Sequence, residues 1–546
     1  MGYSERKDDI LRDEFSFIDE IKNEKTIIVY SDTPIAYAVV ECLEANGLRH
    51  KIRVAGFPIM HGRRLLRYKV EDIRTLKDIA KECAVIIAVN TKFHKEVEES
   101  LKEIGFDRFI RVNSDLLNNL YLRYDPRTLD IERKKQLPLQ YKSNNLVKLN
   151  HIRNKVLSNK KIRVLFIVTS KTKFNFASVY KAMESKKIFD ISIFHVCDNL
   201  YDCSDSQQWN EAENHATELK EKGYSVIWGY DDDNNPISID SLFPDIVFYN
   251  TPNLINAKSG FSIHKIIIDY LACYISYGVH VSNNEEYHFE HENILPAWVH
   301  FIDTRPAYNM CVNNPLNRGL NALLSGYPEM DEYVATLDKT QYAKIVNGCK
   351  TIVIAPHWSI GSWNDTSSFH IYFQYFIDLL DRHPDINFVF KPHPKLRLEV
   401  QTRKTEDGMS SLAEYDAYCK RWDDAPNGMV VTDSSYIDLF RISDCLITDS
   451  YSFLVSWLPT DKPCIIPINP RVTGDYLNRY YDFVHPVISA YYKPKTEDEI
   501  DQLIIDIIKA GNDPKAEERQ KVKNDLLYNV GSAGQFIADY IETMLV

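Results

Sequence analysis

Residues 387–400 read NFVFKPHPKLRLEV. The apolar run Phe388, Val389 and Phe390 fits a strand buried on both faces of a parallel sheet. The prolines at 392 and 394 end it, because proline has no N–H to give to the ladder. His393 therefore falls at the C-terminal end of a strand. In open α/β sheets that edge is where ligands bind, since the chain turns there into loops and helix N-termini that expose N–H groups.

One histidine in such a place is more often an ordinary loop residue than a ligand, so the neighbouring segments decide. Within 349–470 two further apolar runs end in polar residues, APHWS at 355–359 and ITDSYSF at 447–453. If the three strands are parallel, all three ends open on one edge of one sheet. His357, Ser359, His393, Thr448, Ser450 and Ser452 then supply hydrogen-bond donors. SFLVSWL reads as a helix whose N-terminus lies at Ser450 to Ser452, where the helix dipole and unpaired N–H groups favour an anion such as a phosphate. The plainer reading of Asp449 and Ser450 is an ordinary N-cap.

Working outward, strands recur at intervals joined by helical stretches, the pattern of parallel α/β sheets. The fold class expected is α/β, with two facing Rossmann-like domains preceded by a smaller Rossmann-like accessory domain. The accessory domain covers 1–118, with strands at 26–31, 50–57 and 84–90 and helices at 35–47, near 71–83 and at 95–106. Its first turn, SDTPIA, lacks the glycines a dinucleotide site uses to admit a pyrophosphate, so no bound NAD and no other cofactor is expected. A linker spans 119–161, and residues 133–163 carry ten Lys or Arg and no Asp or Glu. Either that stretch is a solvated face around a short helix, or it contacts anionic lipid head groups or an anionic polymer. The two main halves run from 162 to 335 and from 336 to 546, and the last helix crosses back to the first half.

The chain has 546 residues, too many for one core, with a net charge of −12. That balance argues against general nucleic-acid binding while allowing an anionic small-molecule site with locally placed cations. The ten cysteines show no CxxC or CxxH spacing, so a reducing cytoplasm and no structural zinc are expected. The N-terminus is charged and lacks the apolar core of a secretion signal.

FVFKPHPKL, then VTDSSYIDLFRISDCLITDSYSFLVSWLPTDKPCII, with LLSGYPEMDEY (323–333) before them, resemble in order the conserved blocks of the CDP-glycerol glycerophosphotransferases. Those are the teichoic-acid and capsule polyol-phosphate transferases of glycosyltransferase B architecture. The resemblance is good from about 320 to 470, weaker from 162 to 320 and absent before that. Three blocks depart from the family pattern. Its Asp-Tyr-Ser-Ser stands here as Asp449-Ser450-Tyr451-Ser452, and its Pro-Thr-Trp-Arg as Pro356-His357-Trp358-Ser359. Its Trp-His-Gly corresponds to CYISYGVHVSNNEEYHF, with His280 displaced by two or three positions.

The resemblance implies attack of an acceptor hydroxyl on the β-phosphorus of a CDP-linked polyol, with CMP leaving. His393 and the amides after Asp449 would hold the diphosphate, with His357, Ser359, Thr448, Ser450 and Ser452 nearby and Lys391 adding positive charge. His280, facing a wet cleft, would accept the proton. No Asp-x-Asp metal clamp stands at a strand end, so no divalent ion is expected. The implied partners are the CDP-polyol, a glycan or lipid-linked polymer acceptor and an anionic membrane surface, with no nucleic acid. The implied location is the cytoplasm, peripheral on the inner face of the membrane. Two other readings stay open: a glycosyltransferase using a nucleotide sugar, and a non-catalytic scaffold of the same pathway.

Overall fold

The structure is a computed structural model that describes residues 16–31, 34–56, 64–65, 67–89, 94–112, 126–197, 206–252, 263–360, 367–402, 409, 411–433, 435–469 and 480–546. The chain divides into two compact units, Met1–Gln136 and Leu137–Val546.

The first unit holds a six-stranded sheet: β1 Thr26–Tyr30, β2 Ile52–Gly56, β3 Arg64–Leu65, β4 Tyr68–Asp72, β5 Cys83–Ile87 and β6 Phe109–Arg111, in the order β3-β4-β2-β1-β5-β6. Every pairing is parallel except β3 with β4. Helices Pro34–Ala45 and His94–Ile104 cover it. The helix expected near 71–83 is not there. Residues up to Asp72 complete β4, and Ile73–Ile79 forms a 3-10 helix. The cause is local: the Asp72 carboxylate accepts from Arg74 N at 3.0 Å, and the Thr75 hydroxyl donates to Asp72 O at 2.7 Å, favouring a tight turn at this point.

The second unit carries two wholly parallel sheets. The first contains β7 Ile162–Val168, β8 Phe189–His195, β9 Val226–Trp228, β10 Ile246–Tyr249, β11 Leu271–Ile275, β12 Val299–Ile302 and β13 Ala322–Leu324, ordered β13-β12-β11-β10-β7-β8-β9. The second contains β14 Lys350–Ile354, β15 Ile386–Phe390, β16 Gly428–Val430, β17 Cys445–Ile447 and β18 Cys464–Ile465, ordered β16-β15-β14-β17-β18. In each, the chain builds outward on one side and then returns to start the other. The strand order therefore reverses between β7 and β10 and between β14 and β17, the points where such sheets open a crevice.

The two halves share a core, in which Val279, Val281, Phe289 and Ile302 pack with Val353, Val389 and Leu446. GYPEMDEY joins them. Gly326 has φ +84°, and a Cβ there would lie 2.3 Å from Tyr528 O, so only glycine fits. Asp331 accepts from Ala533 N at 2.9 Å and Gly534 N at 2.7 Å. It thereby caps the last helix, Ala533–Leu545, whose Ile537, Ala538, Ile541 and Leu545 lie in the core of the first half.

Most of the basic stretch lies on one helix, Pro126–Leu157, in place of a linker with a short helix, and Lys160, Lys161 and Arg163 follow it. Tyr141, Leu149 and Ile152 are buried. Lys148 Nζ donates to Ile267 O at 2.8 Å and Tyr270 O at 2.9 Å, Arg153 Nε donates to Met544 O at 2.9 Å, and Lys155 pairs with Asp245 at 2.5 Å. These cations fasten the helix. Lys142, Lys160 and Lys161 are exposed, as are Leu139, Leu146, Val147 and Leu157. The side chains of Arg133, Lys134 and Lys135 lie outside the described residues.

Candidate active site

The apolar strands β15, β14 and β17 lie side by side and parallel, so the three polar strand ends share one sheet edge. Two of them flank the β14/β17 reversal point. His357, after β14, and His393, after β15 on the same side of that point, meet with ring centroids 6.1 Å apart, and Trp358 lies 5.2 Å from the first ring and 6.2 Å from the second. Lys395 Nζ sits 5.1 Å from the Trp358 ring centroid, within cation–π range.

Backbone donors fix the state of both imidazoles. Lys395 N donates to His393 Nδ1 at 3.1 Å, and Ser359 N to His357 Nδ1 at 3.3 Å, with Ser359 Oγ 2.8 Å from the same nitrogen. An N–H cannot accept, so in the neutral rings Nδ1 is bare and Nε2 carries the proton. Burial first, then the neighbouring His393 and Lys395 charges, holds His357 down to about 3. Burial with Lys395 and Lys391 brings His393 down to about 4. Near neutral pH each ring is thus an uncharged Nε2–H donor, and an arriving phosphate would favour its protonation.

The other candidates at this edge serve the loops. Asp449, 2% exposed, accepts from His357 N at 2.6 Å and from Ser368 N. Burial raises its carboxyl to about 6 against the opposing pull of those amides. Its task is to brace the loop that carries His357. Thr448 donates to Ala355 O at 2.6 Å and accepts from Ser450 N at 3.0 Å, so its hydroxyl is already committed. Lys391, 5% exposed, donates to the carbonyl of Asp433, and burial brings its ammonium down to about 8. It is not an exposed cation on the cleft wall. Ser450 is the N-cap of the helix Tyr451–Ser456 without a side-chain capping bond, and Ser452 is exposed.

His280 lies at the other sheet's C-terminal edge, beyond β11, but it does not face a wet cleft. It is 1% exposed, stacked on Phe289 at 5.1 Å, with the His288 ring set edge-on at 4.9 Å. His288 Nδ1 is 2.9 Å from Tyr481 Oη, and Tyr481 N donates to Val281 O at 3.1 Å, so a segment of the second half covers this histidine. Asp303, directly after β12, accepts from His280 N at 2.7 Å and lies 3.0 Å from its Nδ1. A second link crosses between the halves where Lys171, after β7, pairs with Glu218 at 2.9 Å and Asp433 at 3.6 Å.

Sequence reasoning passed over Trp358, Lys395 and Asp303. Trp358 and Lys395 lie inside motifs already quoted, and their position beside the two histidines was the available signal. Nothing local marks Asp303, whose partner lies on another strand end. Among the described residues no group of three or more His, Cys, Asp or Glu is arranged to hold a metal ion, and no helix is long and apolar enough to cross a membrane.

Comparison with solved structures gives loose overlaps. The wall teichoic acid polymerase TagF overlaps at TM-score 0.45 and 15% identity, over 76% of this chain and 98% of its own. Staphylococcus aureus MnaA with UDP overlaps at 0.43 and 15%, over 70% and 97%. The UDP-GlcNAc 2-epimerase of Neisseria meningitidis bound to UDP-GlcNAc overlaps at 0.42 and 13%, over 70% and 100%. No curated protein sequence matches. The assignment rests on a family match that starts at His280 and spans the GYPEMDEY, KPHP and ITDSYS blocks. Residues 280–541 match the model of an enzyme family, CDP-Glycerol:Poly(glycerophosphate) glycerophosphotransferase.

Proposed function

We propose that the protein moves a polyol phosphate from a CDP-linked donor to a hydroxyl of a cell-surface glycan or teichoic-acid-like acceptor, releasing CMP. The observation that carries this reading is the pair of neutral imidazoles, His357 and His393, 6.1 Å apart at the C-terminal ends of β14 and β15, beside a sheet reversal point and inside the family-matched segment. Phosphoryl transfer asks the protein mainly to align the reactants and neutralise phosphate oxygens. The two Nε2–H groups donate to the diphosphate, with Ser450, Ser452 and the amides after Asp449 beside them. The acceptor oxygen forms its bond to the β-phosphorus as the bond from that phosphorus to the bridging oxygen breaks, and CMP departs with the electron pair. The hydroxyl proton passes to His280, which requires the cover of His288 and Tyr481 to shift when the acceptor enters. The exposed Leu139, Leu146, Val147 and Leu157, with Lys142, Lys160 and Lys161 on or just beyond the same helix, suit the surface of an anionic membrane carrying a lipid-linked acceptor.

The test is incubation of the full chain with CDP-glycerol, CDP-ribitol, UDP-GlcNAc or CMP-sialic acid and an isolated membrane fraction as acceptor source. CMP release from a CDP-polyol alone is the expected result. UDP release, or CMP from the sugar donor, would make it a sugar transferase, and no release from any donor would make it a scaffold. His393→Ala should weaken donor binding and turnover together, by about 2–4 kcal/mol for one lost charge-stabilising donor.

A further inference from the structure

We propose that Asp303 is a positioning residue for His280, fixing the imidazole with its proton on Nδ1 and leaving Nε2 as the nitrogen that accepts the acceptor's proton. This rests on the reading of His280 as the base.

The geometry is a carboxylate locked to one histidine. Oδ2 of Asp303 accepts the His280 main-chain N–H at 2.7 Å, so the carboxylate is tied to the backbone of the residue whose ring it faces. The same oxygen lies 3.0 Å from Nδ1. Nδ1 makes no hydrogen bond, so this second contact is electrostatic. Oδ1 has no hydrogen-bond partner, so acceptor capacity for a straight Nδ1–H···O bond remains. Burial would push the Asp303 carboxyl up, but His280 and the amides of His280 and Thr304 hold it below its ordinary value. An ionised carboxylate only accepts, so the nitrogen facing it is favoured as the one that carries hydrogen.

The far nitrogen is the telling atom. Both ring nitrogens of His280 are buried without a hydrogen-bond partner, but Nδ1 has the Asp303 carboxylate 3.0 Å away and Nε2 faces no carboxylate. A buried polar atom left unpaired is costly, and such atoms call for a functional explanation. Its surroundings are rings: Phe289 stacked at 5.1 Å, His288 at 4.9 Å and His300 at 6.0 Å. His288 is engaged through Nδ1 with Tyr481. In a carboxylate–imidazole pair the carboxylate sets the tautomer and stabilises the imidazolium that forms. Here the nucleophile is the acceptor's own hydroxyl: its O–H bond breaks, the proton goes to Nε2, and the oxygen bonds to phosphorus. Asp303 touches neither substrate nor phosphate.

The experiment uses the full chain labelled with ¹⁵N-histidine. Long-range ¹⁵N–¹H correlation spectra at pH 7.5 report the ring tautomer, and His280 is assigned as the signal lost in His280→Gln. The wild type should show Nδ1–H with bare Nε2, and Asp303→Asn should convert the signal wholly or partly to Nε2–H. In CMP release from CDP-glycerol, Asp303→Asn should lower kcat by about 10- to 1,000-fold, with KM changed less than about twofold, a share of what a positioned base contributes. In the His280→Ala background the same change should have no further effect. A wild-type ring found as Nε2–H, or a tautomer unchanged in Asp303→Asn, overturns the proposal, and the first result needs no variant. Additive losses in the double variant also overturn it. Full turnover in His280→Ala would instead remove His280 as base, while the spectra still judge whether Asp303 sets its tautomer.

Discussion

Asp449→Ala separates a loop brace from a phosphate contact. In the folded chain the Asp449 carboxylate accepts from His357 N at 2.6 Å and from Ser368 N. Removing it orphans two backbone donors at about 1–3 kcal/mol each, or about 2–6 kcal/mol together. A second effect opposes the first. Burial raises the carboxyl to about 6, and at about 1.4 kcal/mol per pH unit the folded state then favours the protonated acid by about 3 kcal/mol. Because the folded value lies above the unfolded one, this contribution is fully present below about pH 4 and is lost as pH rises through about 6. The loss in Asp449→Ala should therefore be about 1–5 kcal/mol near pH 4.5, where about two-thirds of the acid's contribution remains, and only about 0–3 kcal/mol near pH 7.5. All seven tryptophans lie beyond residue 200, so tryptophan fluorescence during urea unfolding of the full chain reports the second unit. Midpoints for wild type and variant at the two pH values give the comparison. A loss larger at pH 7.5 than at pH 4.5, or no loss at either, would refute the reasoning.

Asp331→Ala removes the acceptor for Ala533 N and Gly534 N. It should cost about 0.5–2 kcal/mol by the same fluorescence assay, the range for a lost N-cap, while Asp331→Asn should retain part of it. Replacing Arg133, Lys134, Lys135, Lys160 and Lys161 by glutamine should weaken sedimentation with phosphatidylserine vesicles at low salt, by up to about 1 kcal/mol per charge near the surface. Lys148, Arg153 and Lys155 are left in place because they fasten the helix. Unchanged sedimentation would make the remaining basic residues an ordinary solvated face.

The apolar runs ending in His357, His393 and Thr448 determined by themselves that this chain builds buried strands with polar ends, and those ends marked the edge proposed here to hold the donor. Continuous apolarity closed by proline or by polar turns is a local property, so it survives reading one residue after another. The helix proposed near 71–83 failed for a local reason too, since Asp72 and Thr75 bond the nearby backbone instead. What only the tertiary structure decided is what each polar side chain does at that edge. Asp449 braces His357 from 92 positions away, Lys391 ends on the carbonyl of Asp433, and His280 is closed over by Tyr481 and faced by Asp303. Hydrogen-bond partners and burial at strand ends come from chain segments far away in sequence, and two residues that look equally polar in the sequence differ by which of those segments folds against them.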